Sequence, residues 1–118
     1  FSELKSVHDV DEMISNEGTT LVVVNSVCGC AAANARPGAI TSLINDKRPD
    51  HLTTAFAGVD RDAVEKVRYY LAPFPPSSPA IALFKNGELV HMLERHHIEG
   101  RSAEMISQNL KGAYNEHC

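Results

Sequence analysis

Apolar positions along the chain alternate between helical spacing and short continuous runs. The first helical set is Leu4, Val7, Val10, Met13 and Ile14. This spacing predicts a helix over residues 3–16, which Gly18 closes. Residues 21–25 are a continuous, mostly β-branched run, and such a run is typical of a strand that is buried on both faces of a sheet.

A second helical stretch is predicted to continue to about residue 46. Its apolar positions are Ala32, Ala35, Ala39, Ile40, Leu43 and Ile44. Pro37 interrupts this stretch, and a proline within a helix removes one backbone hydrogen bond. We therefore expect a kink at Pro37 rather than the end of the helix.

The second half of the chain predicts one more strand, a helix and a hairpin. The strand covers residues 52–59, and the helix covers residues 62–71 with Asp60 at its N-cap. Residues 80–84 and 88–93 are predicted strands that the dipeptide Asn86-Gly87 joins, because both of its positions tolerate the positive φ of a type I′ turn. A last helix is predicted over residues 102–113. The inward positions of the two helices are Val64, Val67, Leu71, Ala103, Ile106 and Leu110.

The predicted order α-β-α-β-α-β-β-α fits one α/β domain that covers residues 1–118. A chain of 118 residues is short for two domains, and its 43% apolar content is enough for one core. The early alternation predicts parallel crossovers, whereas the closing hairpin adds antiparallel pairing. We therefore expect a four-stranded mixed sheet that is flanked by helices.

Composition excludes two classes of partner. The net charge of −4 argues against non-specific binding to nucleic acid, which requires basic patches. No apolar run approaches the roughly 20 residues that span a bilayer, so we expect no membrane association. The N-terminal sequence has no basic stretch followed by a long apolar stretch, so no signal peptide is predicted. We expect a cytoplasmic protein.

The three cysteines suggest redox chemistry. Cys28 and Cys30 form a close pair, and Cys118 stands at the end of the chain. Such a pair fits a reducing compartment, where close thiols are catalytic or bind metal. The pair also lies where a buried strand leads into a helix, and a helix N-terminus favours the nucleophilic thiolate. We interpret Cys28 as the attacking thiolate and Cys30 as the resolving thiol.

The single residue between these cysteines constrains the oxidised form. A disulfide across one residue closes a tight ring, and geometry away from the preferred torsion makes it easier to reduce. Gly29 fits this ring because glycine adopts backbone angles that other residues avoid. We expect a Cys28–Cys30 disulfide to be more oxidising than a relaxed one.

Two alternative roles for the cysteine pair stay open on residues alone. Cysteines are often small buried apolar residues. Two thiolates with imidazoles could also bind zinc or copper, although zinc pairs usually have at least two residues between the cysteines. His96 and His97 are adjacent, so on a strand they would face opposite ways and could not chelate one ion. We predict no metal site and no tightly bound cofactor.

The segment over residues 78–88 is similar to the region around the cis-proline of thioredoxins. In that family, this proline faces the dithiol and shapes the substrate groove. The resemblance implies a thioredoxin-like fold, a cis Ser78–Pro79 bond and a substrate-binding role for Ser78 and Pro79. Pro37 also resembles the proline of thioredoxin's active-site helix. The chain departs from thioredoxin in having one residue between its cysteines and no tryptophan.

The dithiol segment over residues 24–38 resembles the bacilliredoxin family of small bacterial Cys-Gly-Cys proteins. Residues 56–60, 76–79 and 95–100 resemble that family as well, so the similarity covers nearly the whole chain. The resemblance implies an enzyme that removes bacillithiol from protein cysteines, with Cys28 as nucleophile and Cys30 as resolving thiol.

The same resemblance implies the partners of the reaction. Bacillithiol or a similar small thiol is the co-substrate, bacillithiolated or disulfide-bearing proteins are the targets, and a flavoprotein reductase clears the bacillithiol. Because family members have also been considered disulfide isomerases, a protein disulfide reductase or isomerase is the alternative. Bacillithiol carries a malic acid group, and we hypothesise from charge and position that Arg36 or Arg95 contacts its carboxylates.

Overall fold

The computed structural model of the chain describes residues 2–25, 37–57, 60–72, 74, 79–98 and 100–118. Their elements, in chain order, are β1 (Ser2–Glu3), α1 (Val7–Ser15), β2 (Thr19–Asn25), α2 (helical residues 37–42), β3 (His51–Phe56), α3 (Arg61–Leu71), β4 (Ala80–Lys85), β5 (Glu88–Leu93), α4 (Arg95–Ile98) and α5 (Ala103–His117). Among these residues, no helix combines the length and the apolar character that crossing a membrane requires.

The described strands form one mixed sheet in the order β1-β3-β2-β4-β5. β1, β3 and β2 are parallel, and β4 and β5 are antiparallel to their neighbours. The sheet therefore has five strands, and the expectation of four is wrong. The additional strand is β1, whose two exposed polar residues carry no hydrophobic pattern and which forms by pairing with Thr53 and Thr54 of β3.

β1 also corrects the predicted start of the first helix. Leu4 continues the extended chain, and its N–H donates to the carbonyl of Thr54 at 2.7 Å. α1 begins only at Val7, after Ser6 has capped it by accepting the N–H of Asp9 at 3.2 Å. Leu4 is buried, so its apolar character reflects packing of the strand end rather than the face of a helix.

Two apolar layers cover the faces of the sheet. One layer joins α1 and α3 to side chains such as Val22 and Val24 of β2. The other joins α2 and α5 to Leu21 and Val23 of the same strand. β2 is buried at all seven positions, which confirms the prediction of a strand covered on both faces.

α2 differs from the long helix that the apolar spacing predicts. Its described helical residues end at 42, and the side chains of Ile40 and Ile44 are 59% and 76% exposed. The buried positions are Gly38, Ala39 and Ser42. A Cβ atom at Gly38 would lie only 2.7 Å from Ile106 Cγ2, so α2 packs on α5 through small residues. The kink at Pro37 stays a prediction, because the residues before Pro37 lie outside the described ranges.

The remaining elements largely match their predictions. Val64, Val67 and Leu71 of α3 are buried, as are Ile106 and Leu110 of α5, although Ala103 is only half-buried and α5 continues to His117. Asn86 and Gly87 both have positive φ, which confirms the predicted hairpin turn.

Asp60 stands at the predicted N-cap of α3, but its side chain forms no capping hydrogen bond. Its Oδ2 instead accepts the N–H of Phe56 at 3.4 Å, so it links the helix to the end of β3. β3 ends at Phe56, and the predicted continuation through Val59 falls partly outside the described residues.

One buried polar pair ties α2 to α5. The hydroxyl of Ser42 lies 2.6 Å from the carbonyl oxygen of Ala39, to which it donates. Because the single hydroxyl proton of Ser42 is used in this bond, the hydroxyl of Tyr114 is the donor to Ser42 Oγ at 2.9 Å. Burial of the phenol disfavours its charged form and raises the pKa of Tyr114 to about 12.

We expect Tyr114→Phe to lower the free energy of unfolding at pH 7 by about 0.5–1.5 kcal/mol, the usual net contribution of one hydrogen bond. The difference from wild type should shrink above about pH 10, because the unfolded tyrosine ionises there while the folded one stays neutral. Ionisation of the unfolded tyrosine lowers the free energy of unfolding of the wild type as the pH rises towards 12. Tyr114→Phe has no hydroxyl at this position and does not lose stability in this way. Denaturant unfolding at several pH values measures both effects.

Tyr69→Phe is the matched control, because Tyr69 is 69% exposed. It should change the free energy of unfolding little at pH 7. A Tyr114→Phe protein as stable as wild type at pH 7 would contradict the role given to the buried pair.

Candidate active site

The carboxyl end of β2 is the point at which several chain segments meet. Asn25, the last residue of β2, pairs with Phe56, the last residue of β3. Val24 pairs with Ala80 at the start of β4. Leu93, the last residue of β5, pairs with Ile81. We call this region the dithiol end of the sheet, because the Cys-Gly-Cys sequence begins two residues after β2.

The dithiol itself lies outside the described residues. Cys28, Gly29, Cys30 and Arg36 belong to the segment 26–36, which connects Asn25 to α2. Three residues of chain span at most about 11 Å, so connectivity alone keeps the Cα atom of Cys28 within that distance of the Cα atom of Asn25. The predicted roles of these residues stay predictions.

Pro79 lies at the dithiol end. It is buried and directly precedes Ala80, which pairs with Val24 near the end of β2. The fold therefore brings Pro79 and the strand before the cysteines together, although 55 residues separate Val24 from Pro79 along the chain. Ser78 and the isomer of the Ser78–Pro79 bond lie outside the described residues.

Arg95 is at the same end of the sheet. It is the first residue of α4, which follows β5, and it is exposed. β5 lies two strand spacings from β2, which is roughly 10 Å. Of the two arginines that we hypothesised to contact bacillithiol, the structure therefore places Arg95 near this end.

A cluster of Glu94, His96 and His97 is the part of this region that sequence reasoning missed. The two histidines lie on α4 rather than on a strand, and their ring centroids are 4.0 Å apart. The Oε2 atom of Glu94, a buried residue, lies 3.7 Å from His96 Nε2. A helix of four residues is too short to show a hydrophobic period, so no pattern in the sequence could reveal α4 or the cluster that it forms.

One ligand atom from each of these three residues lies within 4.8 Å of the other two. The argument that His96 and His97 face opposite ways on a strand therefore does not apply. However, His97 Nδ1 already accepts the backbone N–H of Glu94 at 3.1 Å. A metal ion on that nitrogen would have to break this hydrogen bond. The hydrogen bond therefore favours a structural role for His97, in which its ring closes the first turn of α4.

Comparison with known proteins places this chain in a family. A family model described as disulphide isomerase matches residues 1–118. A bacilliredoxin of Cytophaga hutchinsonii is 58% identical over 116 residues, which cover 98% of this chain and 86% of that protein. A bacilliredoxin of Halalkalibacterium halodurans is 59% identical over 119 residues, which cover 100% and 83%. The chain belongs to the bacilliredoxin family.

Solved structures give the fold. A protein of thioredoxin fold superposes with a TM-score of 0.72 at 19% identity, covering 91% of this chain and 90% of that one. A thioredoxin of Fasciola hepatica superposes with a TM-score of 0.68 at 13% identity over the whole of both chains. The predicted α/β, thioredoxin-like fold is therefore confirmed for this bacilliredoxin, with five strands in place of four.

Family and fold together support a redox enzyme that acts on thiols and disulfides. They also confirm the resemblance on which the sequence interpretation relied.

Proposed function

We propose that this bacilliredoxin reduces mixed disulfides between protein cysteines and a low-molecular-weight thiol, bacillithiol, with Cys28 attacking and Cys30 resolving. The observation that carries the proposal is the position of the Cys-Gly-Cys sequence, which begins two residues after the end of the buried strand β2. Pro79 and Arg95 lie at the same end of the sheet. The enzyme needs no tightly bound cofactor and works in the cytoplasm.

The first step is a thiol–disulfide exchange at Cys28. Its thiolate attacks the bacillithiol sulfur of the mixed disulfide, and a new sulfur–sulfur bond forms as the old one breaks. The target cysteine leaves as a thiolate and takes a proton from water. The two electrons that reduce the target come from Cys28, which now carries bacillithiol.

The second step regenerates Cys28. The thiolate of Cys30 attacks the Cys28 sulfur and releases bacillithiol, leaving a Cys28–Cys30 disulfide, or a second bacillithiol attacks and leaves as bacillithiol disulfide. Either disulfide must then accept two electrons from outside, and we assign that role to further small thiol and a flavoprotein reductase. Gly29 allows the tight ring that the first route requires.

Two other functions are candidates. The family model described as disulphide isomerase favours action on disulfides between protein cysteines. The two thiols of Cys28 and Cys30 also leave a metal-binding module open, although zinc pairs usually have at least two residues between their cysteines. Stoichiometric zinc or copper held through both thiols in native mass spectrometry would favour that module over the redox function.

We expect the purified reduced protein to clear bacillithiol from a bacillithiolated target faster than it restores a scrambled-disulfide protein. Cys28→Ala should abolish this clearance, because it removes the nucleophile. Cys30→Ala should still perform the first step and accumulate as a mixed disulfide with bacillithiol. Intact-protein mass spectrometry of both partners measures each product.

Cys118→Ala is the matched control, because Cys118 is exposed at the end of the chain and should not affect the reaction. Equal loss of the first step in Cys28→Ala and Cys30→Ala contradicts the assignment of roles. Faster repair of the scrambled protein than of the bacillithiolated one favours the isomerase function.

We expect Arg95→Ala or Arg36→Ala to raise the KM for a bacillithiolated target roughly tenfold, because a charge-assisted contact to a carboxylate is lost. Arg48→Ala is the control, since Arg48 is exposed and precedes the start of β3, at the opposite end of the sheet. If both variants turn over the target with wild-type kinetics, the contact to the malic acid group does not exist.

A further inference from the structure

The start of α4 is held by a pair of hydrogen bonds between Glu94 and His97. Glu94 directly precedes α4, in the N-cap position, and His97 is the third residue of the helix. The N–H of Glu94 donates to Nδ1 of the His97 ring at 3.1 Å, and the N–H of His97 donates to the carbonyl of Glu94 at 2.9 Å. In a capping box the third helical residue accepts the N-cap N–H in the same way, usually through a Glu or Gln side chain. Here an imidazole takes that place.

The imidazole of His97 can close this box only while it is neutral. Nδ1 offers its lone pair to the N–H of Glu94, so the single proton of the neutral ring is on Nε2. A second proton would occupy Nδ1 and turn the acceptor into a donor that faces another donor. Histidine is the side chain that ordinarily changes its charge between pH 5 and 8. The box at the start of α4 is therefore sensitive to pH, whereas a box closed by glutamine would not be.

The surroundings of His97 on its own helix give the charged ring a different partner. A nitrogen of His97 and an oxygen of the Glu94 carboxylate lie within 4.8 Å of each other, and Glu94 is buried. The other titratable group beside the ring is His96, whose ring centroid is 4.0 Å away. Glu94 thus offers its backbone N–H to the neutral ring and its carboxylate to the charged one.

The elements that pack against α4 have other titratable groups. α4 packs against β5, in which Glu88 lies at the hairpin end and His91 Nε2 lies 2.7 Å from Asn109 Oδ1 of α5. Glu104, in the first turn of α5, is exposed. Within the described part of the chain, none of the ion pairs joins these groups to His97. The charge state of His97 therefore depends on its neighbours in α4.

The box decides the position of the first residues of α4. A helix of four residues has too few internal hydrogen bonds to be stable alone. The end of α4 is fixed by Ile98, which is completely buried in the apolar layer that α5 shares. Its beginning carries Arg95, which is exposed. Opening of the box therefore releases the segment that carries Arg95, while Ile98 keeps the end of the helix on the domain.

We propose that His97 is a pH-sensitive positioning residue: its neutral ring fixes the start of α4 and with it Arg95, and its protonation releases both. The release follows from the contacts of His97 and Glu94 alone. Its effect on catalysis rests on the proposed function, in which Arg95 contacts the carboxylates of bacillithiol. Under that function, acid weakens the recognition of bacillithiolated targets in addition to any effect on the thiolate of Cys28.

Nuclear magnetic resonance of the ¹⁵N-labelled protein tests the box directly. At about pH 8 the neutral ring of His97 should carry its proton on Nε2, and the amide of Glu94 should be protected from exchange with water. Protection is measured relative to an unstructured chain at the same pH. Between about pH 8 and pH 5 it should fall roughly fivefold, as for the loss of one hydrogen bond.

His97→Gln separates the charge of the ring from its role as an acceptor. A glutamine at this position accepts the N–H of Glu94 and does not titrate, so the protection should stay at its wild-type level and no longer depend on pH. His97→Ala should show the low protection at every pH. His96→Gln is the matched control, because it removes the neighbouring imidazole and should keep the pH dependence.

Three outcomes of this experiment overturn the proposal. They are a protection of Glu94 in wild type that is the same at both pH values, a pH dependence that persists in His97→Gln, and a pH dependence that disappears in His96→Gln.

Kinetics test the effect on Arg95. Between about pH 8 and pH 6 the KM for a bacillithiolated target should rise roughly threefold more in wild type than in His97→Gln, which is part of the effect expected for loss of Arg95. The same target carrying cysteamine, which has no carboxylate, should show no such difference. Protonation of Cys28 affects both targets, so the comparison between them removes it. Arg95→Ala should abolish the difference between wild type and His97→Gln.

The two measurements distinguish failure of this proposal from failure of the proposed function. If the protection of Glu94 follows His97 but the KM values do not, His97 positions α4 and the contact of Arg95 with bacillithiol is wrong. If the KM values differ as expected while the protection of Glu94 is independent of pH, the capping box is not the cause and the proposal for His97 is wrong.

Discussion

The structure depends on the complete burial of β2. This strand pairs with β3 on one side and β4 on the other, and apolar layers cover both of its faces. Alternate side chains join opposite layers, with Val22 in one and Val23 in the other. Apolar burial is the largest favourable contribution to folding, so the position of β2 determines where the helices pack. The segment that follows Asn25 starts from a point that the whole domain holds in place.

The end of β2 departs from its apolar character at Asn25, where function is expected. A buried amide in a strand of valines costs stability unless its polar atoms are paired. The Asn25 Nδ2 atom donates to Thr54 across the sheet, whereas its Oδ1 atom is buried and has no hydrogen-bond partner among the described residues. A buried residue that lowers the stability of the fold beside a reactive segment is typical of sites that are arranged for a ligand rather than for folding alone.

Local sequence patterns predict the elements that local physics determines. The valine run of β2, the turn at Asn86 and Gly87 and the inner face of α3 follow from burial, backbone preference and helical period. β1 could not be predicted, because its two polar residues form a strand only through their pairing with β3. The helix α4 is too short to have a period, and the unpaired oxygen of Asn25 results from neighbours on another strand. The dithiol lies outside the described residues, so the roles of its cysteines stay predictions from the sequence.

β1 also affects how the molecule behaves among its own copies. An uncovered edge strand offers backbone groups to any other chain in an extended conformation and so promotes aggregation. β1 pairs with Thr53 and Thr54 in the middle of the outer side of β3, and its Glu3 side chain lies 3.1 Å from the ammonium group of Lys5. These charged side chains disfavour pairing of a second molecule along this edge of the sheet.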